Sequence, residues 1–534
     1  MPKLTIDGKE IEVPAGTTII QAADKLGIDI PRYCYHPALP VAGNCRICMV
    51  EIEKQPKLQI ACYTPVAEGM VVKTNSPKAL ETRKSVLEFL LVNHPVDCPV
   101  CDQAGECKLQ DYYMEHGRYN SRLEDVKVKK EKKAFSIGPT VMLDQERCIL
   151  CTRCVRFADT ITHTHEFGVF DRGDHSRLDL YPGKQLDNKY SGNVVDICPV
   201  GALTDKDFRF KCRVWYLSQT KSVCPGCSMG CNITVEWDKS RPHTHKKARV
   251  MRLKPRYNPN VNDYWICDAG RYDYHFIDEN RILFPQYKND LVSWPQAIET
   301  MAQTIKPLKD SKGMDRIGVL TSAKLTNEDL FVIRKLFKEN LNVSQVDFRV
   351  PEKLGHSDNF LIQADKNPNT AGAQAILQSD GANAQQIIQK AKQGDLDLLY
   401  VFGHDLVKIF GKETVEQISK KVKLFVFQGS NINDTCGYAH LILPSAVYAE
   451  KDGTFTNVQQ RVQRIWPAFG PLGESKGDWE ILLLLAEKLG SPFNYKNSEE
   501  IFKELAQSVS SFFEMTYEKI GNQGMVGRLD RRNK

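Results

Sequence analysis

The sequence predicts a multidomain α+β protein whose first half is organised around metal and whose second half is a parallel α/β domain. Three observations point there. The 534 residues exceed one ordinary domain and suit roughly three to five. Of the 17 cysteines, 16 cluster within residues 34–267, leaving only Cys436 in the second half. From about residue 274 the apolar runs RIGVLTS, QVDFRV, LDLLYVFG and KLFVFQGS alternate with helical stretches such as TNEDLFVIRKLFKENL. That is the alternation of a parallel sheet covered by helices.

Taken in order, residues 3–13 read as a hairpin: KLTI, an Asp7-Gly8 turn, then KEIEV. Thr18 and Gln21 fit a capping box for a short helix ending near Gly27. A cysteine-bearing loop and the alternating strand CMVEIE follow, so the first segment is a small half-open sheet. Residues 77–93, within SPKALETRKSVLEFLLVNH, form a helix delivering His94 to the cysteines beyond it. The run VKVKKEKK reads as a solvated linker. Residues 140–210 have little periodicity and much Cys, Asp and Gly, as expected of a segment ordered by something other than an apolar core. Residues 221–273 form another compact cysteine-bearing unit.

Composition excludes several classes. A net charge of +6, from 72 basic and 66 acidic residues that are interspersed, does not point to nucleic acid. The opening MPKLTIDGKEIEVPAG lacks the charged and apolar regions of a signal peptide, and no run of about 18 apolar residues occurs. The expectation is a soluble or peripheral cytoplasmic protein with no direct membrane span. An odd cysteine count in so long a chain without a signal argues for metal ligation over a disulfide framework.

The cysteines sort into groups. Cys34, Cys45, Cys48 and Cys62 are spaced C-x10-C-x2-C-x13-C, which suits an iron–sulfur cluster whose sulfurs accept backbone N–H bonds. The first gap is longer than in the plant-type 2Fe–2S pattern, and zinc remains a rival on spacing alone. Cys148, Cys151 and Cys154 form C-x2-C-x2-C with a remote Cys198-Pro199, the bacterial 4Fe–4S signature, here read as one cluster. Cys224, Cys227, Cys231 and Cys267 are four thiolates suited to another 4Fe–4S cube. The triplet Cys98, Cys101 and Cys107 lacks a fourth sulfur, because the two remaining cysteines, Cys212 and Cys436, lie far off in sequence. His94, in NHPVDCPVCDQAGEC, stands at the right distance to serve, and an imidazole in place of a thiolate tends to raise the reduction potential. Cys212 and Cys436 are read as small buried hydrophobes. The histidines of THTHEFG and RPHTHKK are read as solvent-exposed.

Together C-x10-CRIC-x13-C, HPVDCPVCDQAGEC, CILCTRC…DICPVGAL and CPGCSMGC…ICDAGRY resemble the large iron–sulfur subunits of bacterial respiratory complex I, the G-subunit family, over residues 1–273. The later AHLILPSAVYAEKDGTFTN resembles the molybdopterin-oxidoreductase-like body of that family. The resemblance implies a β-grasp 2Fe–2S ferredoxin-like domain at 1–77 and a His/Cys-ligated 4Fe–4S domain at 78–125. It further implies a 4Fe–4S ferredoxin-like domain at 138–215, a molybdoenzyme-type 4Fe–4S domain at 217–273 and a reduced molybdopterin-oxidoreductase-like α/β domain at 274–534. Residues 274–534 are short for a complete pterin-binding body, and Cys436, in NDTCGYAH, is an unconvincing molybdenum ligand, so no molybdopterin is expected.

By the same resemblance the cofactors are one 2Fe–2S cluster and three 4Fe–4S clusters. The partners are a flavin-bearing NADH-oxidising subunit and the iron–sulfur subunits of the quinone module, placing the chain on the inner face of the cell membrane. The cluster at Cys224, Cys227, Cys231 and Cys267 stands apart from the main electron line in the family. The expected chemistry is one-electron tunnelling, needing no general acid, base or nucleophile from this chain. Arg46, Arg153 and Arg156 either sit beside anionic clusters and favour reduction or face solvent. No G-x-G-x-x-G follows a strand, so NADH and flavin are expected on a partner. Two other readings stand: an electron-transfer subunit of an NAD-linked hydrogenase or formate dehydrogenase, and, from another class, a zinc-stabilised structural or nucleic-acid-binding protein.

Overall fold

The computed structural model describes residues 1–239, 248–349, 354–379, 381 and 383–527. RPHTHKK, at 241–247, lies outside them. The chain divides into two compact units, Met1–Leu217 and Ser218–Lys534.

The first unit opens with strands β1 (Lys3–Ile6) and β2 (Lys9–Glu12), paired antiparallel with Leu4 opposite Ile11. Asp7 and Gly8 both take positive φ, 44° and 81°, as a two-residue turn matched to strand twist requires. Helix α1 (Ile19–Lys25) begins after Thr18, whose N–H donates to Gln21 Oε1 at 3.0 Å. It ends where the Ile28 N–H returns to the Ala23 carbonyl at 2.9 Å around Gly27. Strands β3 (Met49–Ile52), β4 (Gln59–Ile60) and β5 (Met70–Lys73) complete a sheet of order β2-β1-β5-β3-β4, in which only β1 and β5 run parallel. Helix α1 lays Ile19, Ile20, Ala22 and Ala23 on Leu4, Ile6, Val50 and Val72.

Helix α2 (Pro77–Leu91) is capped by Ser76, whose Oγ accepts the Ala79 N–H. At its other end Lys127 Nζ donates to the carbonyls of Leu91 at 2.5 Å and Val92 at 3.2 Å. The basic run expected as a solvated linker is therefore anchored. Lys130 bonds the Asp174 and Ser176 carbonyls, and Lys133 pairs with Glu146. Beyond α3 (Lys108–His116), strands β6 (Ala134–Ser136) and β7 (Val141–Asp144), helix α4 (Arg153–Thr160), the hairpin β8 (Phe167–Phe170) and β9 (Arg177–Leu180), helix α5 (Asn193–Ile197) and β10 (Leu203–Asp205) are all short. Their main sheet runs β10-β7-β6.

In the second unit β11 (Leu217–Val223), β12 (Asn232–Asp238) and β13 (Val250–Pro255) form one sheet, against which α6 (Asp268–Tyr272) packs. The large sheet follows: β14 (Gln286–Tyr287), β15 (Asp290–Leu291), β16 (Ile317–Leu320), β17 (Gln345–Asp347), β18 (Leu398–Phe402), β19 (Leu424–Gly429) and β20 (Leu441–Pro444). Its order is β15-β14-β20-β19-β18-β16-β17, and the five strands from β16 to β20 are parallel. The chain doubles back between β16 and β18, the reversal of a doubly wound α/β sheet. Alternate residues face opposite sides. Tyr400, Phe402 and Val426 meet the helices Trp294–Asp310, Asn327–Ile333 and Asp478–Lys488, while Leu399, Val401 and Phe427 meet Ala384–Gln393 and Lys412–Lys421. A last small sheet orders β21 (Gly453–Thr456), β22 (Arg461–Ile465) and β23 (Met525–Val526).

Candidate metal centres

The first four cysteines sit where the small sheet ends. Cys48 and Cys62 belong to the core under α1, and Cys34 belongs to a second apolar cluster with Tyr33, Ile47 and Leu87. Their thiols are free and act on one another: Cys34 with Cys45 and with Cys62, and Cys48 with Cys62. Hydrogen bonding from Cys45, then Cys62, pulls the Cys34 thiol well down, and the same contacts push Cys45 and Cys62 up. The Cys34 N–H lies 3.5 Å from Cys45 Sγ. In this loop Gly43 and Arg46 take φ of 63° and 61°, left-handed values that bend the chain sharply between its cysteines.

Cys148, Cys151, Cys154 and Cys198 line a single, largely apolar cavity with Leu150, Val169, Leu178 and Leu203. Leu150 and Thr152, left-handed at 53° and 59°, wind the C-x2-C-x2-C loop tightly, and the Leu150 N–H donates to Cys148 Sγ at 3.4 Å. Burial pushes Cys151 up to about 11 and raises the other three thiols. Such thiols are held in their neutral form until a cation replaces the proton.

In the triplet, Cys98, Cys101 and Cys107 act on one another electrostatically, and burial pushes Cys107 up to about 11. His94 Nδ1 is buried with no hydrogen-bond partner. Burial, then the Arg147 guanidinium, holds the imidazole down near 4, so it is neutral and able to donate a lone pair. Cys101 lies in the field of the same Arg147 and its partner Asp97, paired at 2.8 Å. Arg213 Nη1 donates to the Cys101 carbonyl at 2.6 Å. A Cβ on Gly201 would lie 2.3 Å from Cys101 Sγ, so only glycine lets the Cys198-Pro199 segment pass this sulfur.

Cys224, Cys227, Cys231 and Cys267 act on one another in the second unit. The Cys224 N–H donates to the Cys231 carbonyl at 2.8 Å, and the Gly270 N–H donates to Cys267 Sγ at 3.3 Å. A Cβ on Gly270 would stand 3.1 Å from Cys224 Sγ. The turn around Cys227 is held by the α/β domain, for the Ser228 N–H donates to the Asp365 carbonyl and Asn457 Nδ2 to that of Met229.

The first three groups share one interior. Cys34, Cys45, Cys107, Cys148, Cys151 and Cys198 all lie in or against the apolar cluster of Tyr33, Leu109, Tyr112 and Val200. The Tyr33 hydroxyl, buried without a partner, is within electrostatic reach of Cys45 and Cys107. Arg153 and Arg156 point inward onto backbone carbonyls, whereas Arg46 is exposed. Cys212 and Cys436 are buried. His163 and His165 are exposed beside Asp159. Arg147, Arg213, Gly201 and Tyr33 escape sequence reasoning; adjacency to a cysteine or to the Cys-Pro motif is their only signal.

The donor sets fit iron–sulfur clusters. Among the described residues no three His, Cys, Asp or Glu side chains converge closely enough to hold a single metal ion. Around a cluster each iron takes one or two protein ligands, so three or more side chains need not converge on one point. The lone imidazole nitrogen, the cavity walled by four cysteines, and the amides and glycines against the sulfurs all suit such a group.

Five family models match the chain. They are a 2Fe-2S iron-sulfur cluster binding domain (2–77), the NADH-ubiquinone oxidoreductase-G iron-sulfur binding region (83–122) and the ferredoxin-like domain of NADH-quinone oxidoreductase subunit 3 (138–204). The others are the NDSU1/NuoG-like 4Fe-4S domain of NADH-ubiquinone oxidoreductase (217–275) and Molybdopterin oxidoreductase (355–488). The NADH-quinone oxidoreductase G subunit of Rickettsia bellii is 31% identical over 96% of this chain and 90% of its own length. The mitochondrial 78 kDa subunit of NADH-ubiquinone oxidoreductase from Neurospora crassa is also 31% identical, over 96% and 84%. Among solved structures, an NAD+-reducing NiFe-hydrogenase in the H2-reduced state matches 40% of this chain and 91% of its own at 31% identity, with a TM-score of 0.36.

Proposed function

Because the chain belongs to the family of NADH-quinone oxidoreductase G subunits, we infer that it works as an electron-transfer subunit of that complex, respiratory complex I. The 2Fe–2S and 4Fe–4S family domains it carries fit that role. We propose one 2Fe–2S cluster on Cys34, Cys45, Cys48 and Cys62. Three 4Fe–4S clusters sit on His94, Cys98, Cys101 and Cys107, on Cys148, Cys151, Cys154 and Cys198, and on Cys224, Cys227, Cys231 and Cys267. The observation that supports this reading is the grouping of the thiols, with the His94 nitrogen buried without a partner in the field of Arg147 and Asp97, the same pair that acts on Cys101. The corresponding domains are 1–77, 78–125, 138–215 and 217–273. Residues 274–534 are a molybdopterin-oxidoreductase-like body without pterin.

Bound clusters supply reversible one-electron redox chemistry with no proton or group transfer. The chain's own residues do the rest. Buried Tyr33, Leu109, Tyr112 and Val200 exclude water between the first three groups, which keeps reorganisation small. Arg147, Arg153 and Arg156 set positive charge among the thiolates and favour the reduced state. In this reading electrons enter from a flavin-bearing NADH-oxidising subunit and leave toward the iron–sulfur subunits of the quinone module, on the inner face of the membrane. No described helix is long and apolar enough to cross it.

The test is His94→Ala and His94→Cys in the anaerobically assembled complex. The Ala variant should lose the signal of one 4Fe–4S centre. The Cys variant should keep it at a more negative potential, because a thiolate adds charge. Full iron and an unmoved spectrum in both would remove His94 from the ligand set.

A further inference from the structure

Arg156 touches two of the proposed centres at once. Its Nη2 donates to the carbonyl of Cys34 at 2.6 Å and to that of Cys151 at 3.1 Å. Nη1 donates to the Pro40 carbonyl at 2.5 Å, and Nε donates to Thr152 Oγ1 at 3.3 Å. One nitrogen thus spans a cysteine of the first group and a cysteine of the third. The two loops are laced together on either side of it. Asn44 Nδ2, next to Cys45, donates to the Leu150 carbonyl at 3.1 Å, and Arg153 donates to the carbonyls of Tyr35 at 2.5 Å and Ile197 at 3.0 Å. Arg156 is only partly buried by the fold, and among the described residues it forms no ion pair. Its charge is therefore held in place by carbonyl geometry and not by a carboxylate.

We propose that Arg156 is the positioning residue that couples the centre at Cys34, Cys45, Cys48 and Cys62 to the centre at Cys148, Cys151, Cys154 and Cys198. It fixes their spacing through the two carbonyls and lends one cationic charge to both. The step it serves moves one electron between them: one centre is oxidised as the other is reduced, and no bond is made or broken. A shared cation makes a specific demand. Positive charge near a thiolate-bound cluster stabilises the added electron, and in a partly buried site the field is poorly screened. Neutralising Arg156 must therefore move both potentials in the same direction. A residue that merely braced one loop would disturb one centre or reduce its occupancy. The hydrogen bonds also make a continuous path from the backbone of Cys34 to that of Cys151, shorter than any route along the chain.

This inference rests on the ligand reading above, and the experiment separates the two. Arg156→Met, Arg156→Gln and Arg156→Lys are compared with wild type in the assembled complex by iron content and by redox titrations followed by EPR. Wild type lacking either signal sinks the ligand reading itself. With both signals present, the neutral variants should keep their iron and show both midpoint potentials shifted to more negative values. Arg156→Lys should hold both potentials near wild type while weakening the mutual spin relaxation of the two centres, since the three N–H groups of one ammonium nitrogen cannot meet all four acceptors that fix the guanidinium. Should Met prevent assembly, Gln, which retains a donor, carries the same expectation. Iron retained with neither or only one potential moved, or relaxation unchanged in the Lys variant, overturns the coupling role.

Discussion

Gly201 shows how little freedom the second centre has. A methyl group there would fall 2.3 Å from Cys101 Sγ, and its own backbone is pinned because the Lys108 N–H donates to the nearby Pro199 carbonyl at 3.0 Å. Gly201→Ala should therefore cost about 1–3 kcal/mol of stability, the usual penalty of overpacking, and lower the iron held by the triplet. A thermal melt and metal analysis of the variant check both; unchanged values would mean the loop can yield. His94 and Gly201 differ in how they can be found. His94 follows from counting thiols, since a group of three cysteines needs a fourth donor. Gly201 stands one hundred positions from Cys101, and no local pattern ties a glycine to a sulfur so distant in the chain. Arg147 and Arg213 are hidden for the same reason, because their partners lie in other motifs. Arg156 is visible beside its own cysteines, but its reach to Cys34 is not.

Helices and strands carry their own predictions. Lys127 Nζ closes the end of α2 that leads to His94, so Lys127→Met should cost about 0.5–1 kcal/mol, as expected for a cation lost from a helix C-terminus. Chemical denaturation with equal m-values reads it, and a loss no larger than an exposed Lys→Met elsewhere would assign the lysine to solvent. In the α/β domain Glu328, on the helix Asn327–Ile333, is fully buried and takes hydrogen bonds from the Thr454 amide, the Thr454 hydroxyl and the Tyr517 hydroxyl, each at 2.8 Å. Burial pushes its carboxyl from 4.5 up to about 7. Between those values the native state keeps a proton that the unfolded chain has released, so this residue's contribution falls as pH rises through that window. Melting temperatures at pH 5 and pH 8 should therefore differ less in Glu328→Gln than in wild type; an equal difference rejects the assignment. Apolar runs announce β16 to β19 plainly because parallel strands are buried on both faces. β14, β15 and β20 are harder to see, being short or set within a stretch read for its family likeness, and the short elements between 134 and 205 are ordered around cysteines more than around any hydrophobic period.

For the chain entire, anaerobic preparation should give a brown protein with about 14 irons, one 2Fe–2S plus three 4Fe–4S, and EPR signals on reduction. A colourless zinc protein would sink the assignment. The chain alone should not oxidise NADH until the flavin-bearing subunit is added, which a simple assay with an artificial electron acceptor measures. The shared interior of the first unit has one more consequence. Six of the proposed ligand cysteines are also wall residues of that apolar cluster, so metal and core are the same construction. Because metal binding couples to folding, a newly made chain starved of iron should finish folding poorly there and expose that surface to proteases and chaperones. Iron supply would then govern how much of the polypeptide survives its own synthesis, so that scarcity thins the population of respiratory enzymes instead of filling the cell with inert copies.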